Sequence, residues 1–234
     1  MNFPKKKIFL FSLILFVLMV SRGRSEALER GDERIRESIR VLEEIVNIPE
    51  EGVPEALLKN CHVIAVLPGV VKAAYGIGGQ FGRGLILLKR DGVWSNPSFI
   101  RLVGGSFGWQ IGVQKSDIIL VFKSPDSVKD IIHGKITLGA DVSVAAGPVG
   151  RHAEASTDLD FEAEIFSYAK SKGLFAGVSI KGASIQIDHD ANREFYRDSG
   201  VSARDILMRD RVRAPRSAGR LKKVLESYTN SFRF

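Results

Sequence analysis

Apolar residues in the segment 26–46 recur every three or four positions, with arginines and glutamates between them. This spacing places the apolar side chains on one face of a helix and predicts an amphipathic N-terminal helix over residues 26–47. The apolar positions are Leu28, Ile35, Ile39, Leu42 and Val46. Pro49 and Pro54 then mark a turn, and the second proline predicts the start of a short helix with the sequence PEALLKN.

Between residues 62 and 188 the pattern changes to short runs rich in valine and isoleucine, many of which alternate apolar and polar residues. Alternation with a period of two predicts β-strands. A slip in the alternation near Gly182 predicts a β-bulge. The sequence SPDSVKDIIHGK interrupts the strands with a predicted helix, which Ser124 or Asp126 caps and Gly134 ends.

Two stretches of this β-rich region weakly resemble two later stretches. VIAVLPGVVKAAYG resembles IILVFKSPDSVKDIIHG, and VWSNPSFIRLVGGSFGWQIG resembles IFSYAKSKGLFAGVSIKGASIQI. The sequence therefore predicts an α+β fold, with a compact, glycine-rich antiparallel β-sheet or barrel-like body built from two weakly similar halves. The N-terminal amphipathic helix and short flanking helices complete this predicted fold.

Five glycines fall close together, at positions 76, 78, 79, 82 and 84. A dinucleotide-binding loop needs G-x-G-x-x-G before a helix, but the sixth residue from Gly76 is Phe81, and LILLKRDG after Gly84 is typical of a strand and turn. A P-loop is excluded because no Gly-Lys-Ser/Thr follows. Glycines on one strand face instead allow a neighbouring backbone to approach, which predicts a tightly curved sheet with Phe81 packed and Gln80 and Arg83 near a turn.

Residues 1–25 combine a basic head, the unbroken apolar run IFLFSLILFVLMV and small residues after it. This order is typical of a secretory signal peptide, with cleavage predicted after Ser25, although two arginines just beyond the run leave an uncleaved N-terminal anchor open. The rest divides into the helix 26–47, a domain at 48–203 and a basic C-terminal arm at 204–234. We therefore expect an exported protein, either periplasmic or membrane-associated.

The formal net charge of +7 belongs mostly to the two ends of the chain. The leader holds five of the 34 lysines and arginines and none of the 27 acids, and nine bases face three acids in the arm, so the region between is net acidic. Nucleic acid is disfavoured as a partner, since no aromatic RNA-binding motif accompanies the charge. The single cysteine, Cys61, excludes an internal disulfide and is expected to be buried.

Motifs that could carry chemistry fail in their context. GGSFG matches G-x-S-x-G around Ser106, but a nucleophile elbow requires a helix after the turn, and WQIGVQ continues as a strand. DHDAN, which begins at Asp188, resembles a calcium loop, but Arg193 and Ser199 replace its required glycine and glutamate, so it predicts a cap for the helix ANREFYRD. The four histidines share no metal-binding spacing. We predict no catalytic residue, no metal site and no cofactor.

Four long motifs resemble the SYLF lipid-binding domain family. They are NCHVIAVLPGVVKAAYGIGGQFGRGLILLK, WSNPSFIRLVGGSFGWQIGVQKSDIILVF, KITLGADVSVAAGPVGRHAEA and EIFSYAKSKGLFAGVSIKGASIQIDHDANREFY. They cover residues 48–196 nearly without gaps, and an export signal before a single such domain is similar to the bacterial branch. The resemblance implies binding of phosphoinositides, binding of actin filaments as in fungal members, and membrane contact by an amphipathic N-terminal segment.

From these patterns we predict a non-catalytic envelope protein that binds membrane lipid head groups of the phosphoinositide or anionic phospholipid kind. The residues expected to contact lipid are basic: Arg34, Arg36, Arg40, Arg83, Arg151, Lys170 and Lys172. Two alternatives stay open. One is a structural or scaffolding protein that binds a protein partner, and the other is a hydrolase that uses Ser106 or the acids around Asp158.

Overall fold

The computed structural model describes residues 28–48, 52–148, 163–171, 174–175, 180–209 and 211–229, with the side chains of residues 75–77, 106–111 and 174–175 outside that description. The described helices are α1 (residues 28–46), α2 (Glu55–Asn60), α3 (Asp126–His133), α4 (His189–Tyr196), α5 (Ala203–Leu207) and α6 (Arg216–Thr229). The described strands are β1 (Val63–Arg90), β2 (Val93–Trp94), β3 (Ser98–Phe122), β4 (Lys135–Thr137), β5 (Val144–Ala146), β6 (Ile165–Ser171), β7 (Leu174–Phe175) and β8 (Ala183–Ile187).

β3 is the central strand of a curled sheet. β1 pairs with it antiparallel along most of its length, from Val63 opposite Phe122 to Ile86 opposite Ser98. On its other edge, β3 pairs with β8 near its start and with β6 near its end. β2 extends the β1 edge, β4 pairs with β8, β7 pairs with β6, and β5 lies parallel to β6. The result is an antiparallel-rich half-barrel with several helices, which confirms the predicted α+β class.

β1 bends back on itself, so that its two ends meet. The backbone N–H of Lys89 donates to the carbonyl oxygen of His62 across 2.7 Å. Between these ends, a Cβ at Gly84 would collide with the carbonyl oxygen of Val66. Because glycine has no Cβ, the two stretches of backbone can approach this closely. The tight curvature predicted from the glycine stretch is therefore confirmed.

Three side chains of the glycine stretch lie elsewhere than predicted. Phe81 is 45% exposed rather than packed, because it lies beyond the part of β1 that packs against the helices. Gln80 and Arg83 lie within β1, opposite Gly104 and Arg101 of β3, and not near a turn. The alternation of a strand, rather than a turn, therefore decides where these two polar side chains point.

The base of the sheet is buried on both faces. On one side, which we call the α1 face, Val66, Leu85 and Phe99 pack in a core with α1, α2, α4 and α6. On the opposite face, Ile86 and Leu120 pack in a second core with α3, β4, β8 and part of α5. Two-sided burial explains why the runs VIAVL and DIILVF are continuously apolar rather than alternating.

Three helix predictions are confirmed within the described residues. α1 occupies the predicted N-terminal helix, with its apolar stripe buried in the α1-face core. α2 begins directly after Pro54, as the proline signal indicates. Asp188 caps α4, since its carboxylate accepts a hydrogen bond from the backbone N–H of Ala191. This cap, rather than a calcium site, accounts for the acidic sequence before α4.

The prediction for α3 is confirmed, and one local prediction near β8 is wrong. α3 ends at Gly134 as expected, and Pro125 directly before it makes no side-chain cap bond. The hydroxyl of Ser124 accepts a hydrogen bond at 3.1 Å from the N–H of Asp126, the first residue of α3, as a capping serine does. The slip near Gly182 is a turn and not a bulge, because Gly182 has a φ of 83° and directly precedes β8.

The two weakly similar halves take different local structures. Residues 63–76 form continuous strand within β1, whereas residues 118–134 contain the end of β3 and then α3. The difference follows from the sequence SPDSVKDIIHG, which occurs only in the second stretch. Its apolar residues recur at helical spacing, which favours a helix over a strand.

The segment 204–234, set apart in the sequence by its basic charge, contains a docked helix. In α6, Leu221 and Leu225 are buried in the α1-face core. The indole N–H of Trp94 donates to the hydroxyl of Thr229 across 3.1 Å, which fixes the end of α6 against β2. Four basic residues of this segment, Arg216, Arg220, Lys222 and Lys223, therefore lie on a helix that belongs to the folded body.

The predicted signal peptide at 1–25 lies outside the described residues, so its cleavage and the export of the chain stay predictions. Within the described part of the chain, every helix is too short or too polar to cross a membrane.

Candidate functional site

Beyond the helices, the α1 face of the β1–β3 ribbon is exposed and apolar. Strand alternation places odd-numbered residues of this part of the ribbon on the same side as Phe99. Val113 is 74% exposed, Phe81 and Val103 are each 45% exposed, and Val71 is 39% exposed. We call this surface the distal face, and it consists of Val71, Ala73, Phe81, Val103 and Val113.

The distal face concentrates the exposed apolar side chains of the molecule. Among the described residues, five large apolar side chains are exposed, and Val93 alone of these lies elsewhere. Cross-strand pairing brings the others together, with Phe81 opposite Val103 and Ala73 opposite Val113. Scattered exposed apolar residues need no explanation, but a contiguous group marks a surface that binds something.

Three cations border the distal face on the side of α1. Arg83 and Arg101 form a cross-strand pair next to Phe81, and Lys115 lies opposite Val71. The guanidinium carbon of Arg83 lies 5.5 Å from the ring centre of Phe81. None of the three forms an ion pair with a described residue. Their charge is therefore available to an external anion.

A charged cleft of about 640 Å³ lies between α1 and the sheet. It exists because Pro68 and Gly69 form a bulge in β1, where the register with β3 shifts. Gly69 takes a φ of 59°, which favours glycine, and its N–H donates to Asp117 across 2.7 Å. The cleft is lined by Glu37, Arg40, Glu44, Pro68, Gly69, Lys115, Ser116, Asp117 and Lys170.

The predicted lipid contacts Arg40 and Lys170 both lie in this cleft, where acids of the same chain pair with them. Arg40 donates to Glu44 at 2.9 Å and to Asp117 at 3.2 Å, and Lys170 donates to Glu44 at 2.9 Å. The hydrogen bond from Lys170, followed by that from Arg40, lowers the pKa of Glu44 below its ordinary value. The hydrogen bond to Glu44 raises the pKa of Arg40. These hydrogen bonds join four charged side chains: Arg40, Lys170, Glu44 and Asp117. Because two of the four are acids, the network attracts anions only weakly.

Arg34, another predicted lipid contact, extends from α1 toward the base of the distal face. Its guanidinium carbon lies 5.2 Å from the ring centre of Phe99. Its Nη1 lies 3.9 Å from a carboxylate oxygen of Asp188, which is too far for a hydrogen bond. Burial lowers the pKa of Arg34, and the charge of Arg83 contributes to the same shift. The structure therefore places Arg34 and Arg83 on the same side of the sheet, which their positions in the sequence do not suggest.

Three predicted contacts remain. Arg36 is exposed on α1. Arg151 and Lys172 lie outside the described residues, so nothing is known of their positions. Lipid contact by any of the seven stays a prediction.

Sequence reasoning missed Arg101, Lys115 and the exposed apolar residues. The sequence FIRLVGG carries a usable signal, since Phe99, Arg101 and Val103 alternate onto one strand face. An arginine between two apolar residues on one face indicates that the face leaves the core at that point. Sequence alone does not show that the next apolar residue is then exposed.

Where the structure describes the residues weighed for other chemistry, it shows no catalytic arrangement. Ser106 lies within β3 opposite Gly78, and the strand continues past it, so the turn and helix of a nucleophile elbow do not follow. Cys61 is buried as predicted, and burial raises its pKa to about 12, which disfavours the reactive thiolate. The acids around Asp158 lie outside the described residues.

Comparison with known proteins adds a family to this geometry. The model of the family described as "Ysc84: Las17-binding protein actin regulator" matches residues 103–228. Protein YSC84 of Saccharomyces cerevisiae is 38% identical over 187 residues, which cover 78% of this chain and 39% of the yeast protein. LAS seventeen-binding protein 3 of the same yeast is 38% identical over 188 residues, covering 79% of this chain and 40% of the relative.

A mammalian relative is similar over more of its length. The human SH3 domain-containing YSC84-like protein 1 is 34% identical over 204 residues, which cover 84% of this chain and 59% of the human protein. The chain therefore spans about two fifths to three fifths of these relatives. Since the family model covers more than half of the chain and the relatives match most of it, the chain belongs to the Ysc84/SYLF family.

Proposed function

We propose that this protein binds membrane surfaces that present anionic lipid head groups, through the distal face and its basic border, and that it catalyses no reaction. The observation that carries the proposal is the exposed apolar group around Phe81 and Val113, bordered by Arg83, Arg101 and Lys115. Apolar side chains and cations on one surface are what interfacial membrane binding requires. Membership of the Ysc84/SYLF family supports a role in binding, since the names of the relatives describe no reaction.

Binding of this kind combines two contributions. The apolar side chains leave water for the boundary between head groups and acyl chains, which is favourable in proportion to the area buried. Each cation near an anionic surface adds about 1 kcal/mol, and salt screens this part. The expected interaction is therefore reversible and stronger for anionic than for neutral membranes.

Co-sedimentation with vesicles tests the proposal. The wild-type chain is expected to bind vesicles that contain phosphatidylglycerol better than pure phosphatidylcholine, and added salt should weaken the binding. Val113→Asp places a negative charge at the most exposed apolar position and should abolish most of it. Val93→Asp is the matched control, because Val93 is 59% exposed but lies in β2, away from the distal face. Equal, negligible binding to both vesicle types would remove the proposal.

A second candidate function is docking of a protein partner on the same ribbon. The exposed apolar side chains of the distal face can also form a protein interface, since a contiguous apolar group on a surface marks protein-binding sites as well as membrane-binding sites. The relative named LAS seventeen-binding protein 3 makes a protein partner relevant here as well. Co-sedimentation with actin filaments but not with vesicles would favour this candidate.

Export is a separate part of the proposal, carried by the leader at residues 1–25. We expect that the mature chain recovered from a secreting host begins at Glu26. N-terminal sequencing decides the point. A chain that starts at Met1 and extracts with membranes would support the uncleaved anchor instead.

A further inference from the structure

Three arginines from different elements lie on the α1 face where the distal face joins the helices. Arg34 extends from α1 over the ring of Phe99. Arg101 follows Phe99 by two residues and therefore lies on the same face of β3. Arg83 lies directly opposite Arg101 in the β1–β3 ladder. The charge of Arg83 is accordingly one of the causes that lower the pKa of Arg34, after burial.

Two of these guanidinium groups keep buried N–H donors without acceptors. Arg34 Nη1 and Arg101 Nε are both buried, and neither has a hydrogen-bond partner among the described residues. A buried donor left unpaired costs about 1–3 kcal/mol, more when it is charged. Native proteins rarely keep such donors unless an ion or a ligand satisfies them.

Among the described residues, Arg34 forms one long ion pair, with Asp188, and Arg83 and Arg101 form none. Asp188 is 3.9 Å from Arg34 Nη1, and its carboxylate already accepts the N–H of Ala191 at the start of α4. Glu37 also influences Arg34, but it lines the charged cleft farther along α1. The neighbouring cleft differs in this respect, because each of Arg40 and Lys170 there has an acid within 2.9 Å.

We propose that Arg34, Arg83 and Arg101 form a binding site for a compact phosphate-class oxyanion, either free phosphate or the phosphomonoester of a lipid head group. Guanidinium groups bind phosphate through paired N–H donors in a fixed geometry, and a tetrahedral dianion presents enough oxygens for donors arriving from three elements. A carboxylate carries one charge and has two oxygens in one plane, so it matches three guanidinium groups less well than a phosphate dianion does. The inference rests on the proposed function only for the lipid source of the phosphate.

Thermal unfolding in phosphate tests the site itself. Inorganic phosphate at millimolar concentration should raise the Tm of the purified chain more than sodium chloride at equal ionic strength, because phosphate relieves repulsion among the arginines. Arg83→Gln should remove this excess and weaken phosphate binding, measured by titration calorimetry, by about tenfold or more, as expected for one lost charge-assisted hydrogen bond. Arg83 is exposed and lacks an ion pair among the described residues, so this variant should fold. Arg101→Gln removes a different arginine of the proposed site and should have the same effect.

Arg90→Gln is the matched control, since it removes the same charge from an exposed position at the end of β1, the strand that carries Arg83. It should keep the phosphate effect of the wild type. An equal response to phosphate and chloride, or an unchanged response in both Arg83→Gln and Arg101→Gln, would overturn the site.

Vesicles distinguish the two sources and separate this inference from the proposed function. If the lipid is the source, the wild type should prefer phosphatidic acid, a phosphomonoester, over phosphatidylglycerol, a phosphodiester, and Arg83→Gln should lose that preference. No preference, together with retained binding of inorganic phosphate, would identify free phosphate as the ligand. Val113→Asp should lose vesicles but keep phosphate. Vesicle binding without any phosphate effect would contradict the site and leave the membrane proposal standing.

Discussion

Gly84 lies where the second half of β1 packs against the first, and the structure leaves no space there for a side chain. A Cβ at this position would collide with the carbonyl oxygen of Val66 and lie 2.9 Å from the Cα of Leu67. Since both neighbours are backbone atoms, no rotamer change can relieve the clash. We expect Gly84→Ala to lower the free energy of unfolding in urea by about 2 kcal/mol or more.

Gly112→Ala in the same ribbon is the control for this prediction. A Cβ at Gly112 would meet nothing within 4 Å, and its φ is not in the left-handed region. The alanine should therefore be neutral or slightly stabilising, because it restricts the unfolded chain. Equal losses of stability for the two variants would show that flexibility, and not close backbone approach, is what the glycines provide.

Glu44 connects α1 to the sheet through Lys170 and Arg40, and its hydrogen bonds lower its pKa from an ordinary value of 4.5. A carboxylate with a depressed pKa in the folded state contributes stability that is complete above its unfolded pKa and is lost as the pH falls through the folded value. The stability difference between wild type and Glu44→Gln should therefore be present at pH 7 and shrink below about pH 4.5. Urea unfolding at a series of pH values measures it.

The adjacent Glu43 offers a matched comparison, since it is exposed and its carboxylate forms no ion pair with a described residue. Glu43→Gln should leave both the stability at pH 7 and its acid dependence close to those of the wild type. If the free energies of unfolding of Glu44→Gln and the wild type changed in parallel down to pH 3, the hydrogen bonds of Glu44 in the cleft would contribute nothing to the pH dependence of stability.

At the scale of elements, the pattern of neighbouring residues is sufficient to predict helices and strands. It does not predict which residues of a strand are buried by other elements. The spacing in α1 and Pro54 before α2 are properties of neighbouring residues, and the structure agrees with both. Phe81 and Leu85 alternate identically along β1, yet one is exposed and the other is buried. That difference depends on where helices distant in sequence pack, and periodicity carries no information about this.

The same limit applies to the candidate site. Arg40 was predicted as a lipid contact because it is basic, but its partner Asp117 lies 77 residues away in β3. Arg34 and Arg83 lie on the same side of the sheet only when α1 packs across the ribbon. The number of basic residues in a segment therefore overestimates how many cations are free to attract an anion.

α6 shows how a segment with basic composition can still be structural. Leu221 is fully buried in the α1-face core. Leu221→Ala should lower the free energy of unfolding by about 3 kcal/mol, as expected for a leucine removed from a core. Lys223→Ala, two residues away on an exposed position, should change it by less than about 0.5 kcal/mol. Chemical denaturation followed by circular dichroism compares the two. Similar small effects would mean that α6 is only loosely attached.

At the scale of the whole molecule, one long ribbon serves two purposes. Its base, from Val63 to Leu67 and from Ile118 to Phe122, is buried between two cores and holds the fold together. Its distal part is covered by neither core on the α1 face, so this part can contact a surface without disturbing the packing below. The basic border lies between the two parts, where Arg83 and Lys115 are exposed, Arg101 is half-buried, and β1 is still paired with β3.

This division predicts the pattern of backbone hydrogen exchange. Amides at residues 118–122 should exchange most slowly, because their release requires opening both cores, whereas amides at 102–105 and 112–114 should exchange faster. Anionic vesicles should slow exchange at the distal residues alone, and Val113→Asp should remove that protection while leaving the base unchanged. Protection that spreads to the base would indicate global stabilisation by the lipid. Protection confined to α1 would assign membrane contact to the helix and contradict binding through the distal face.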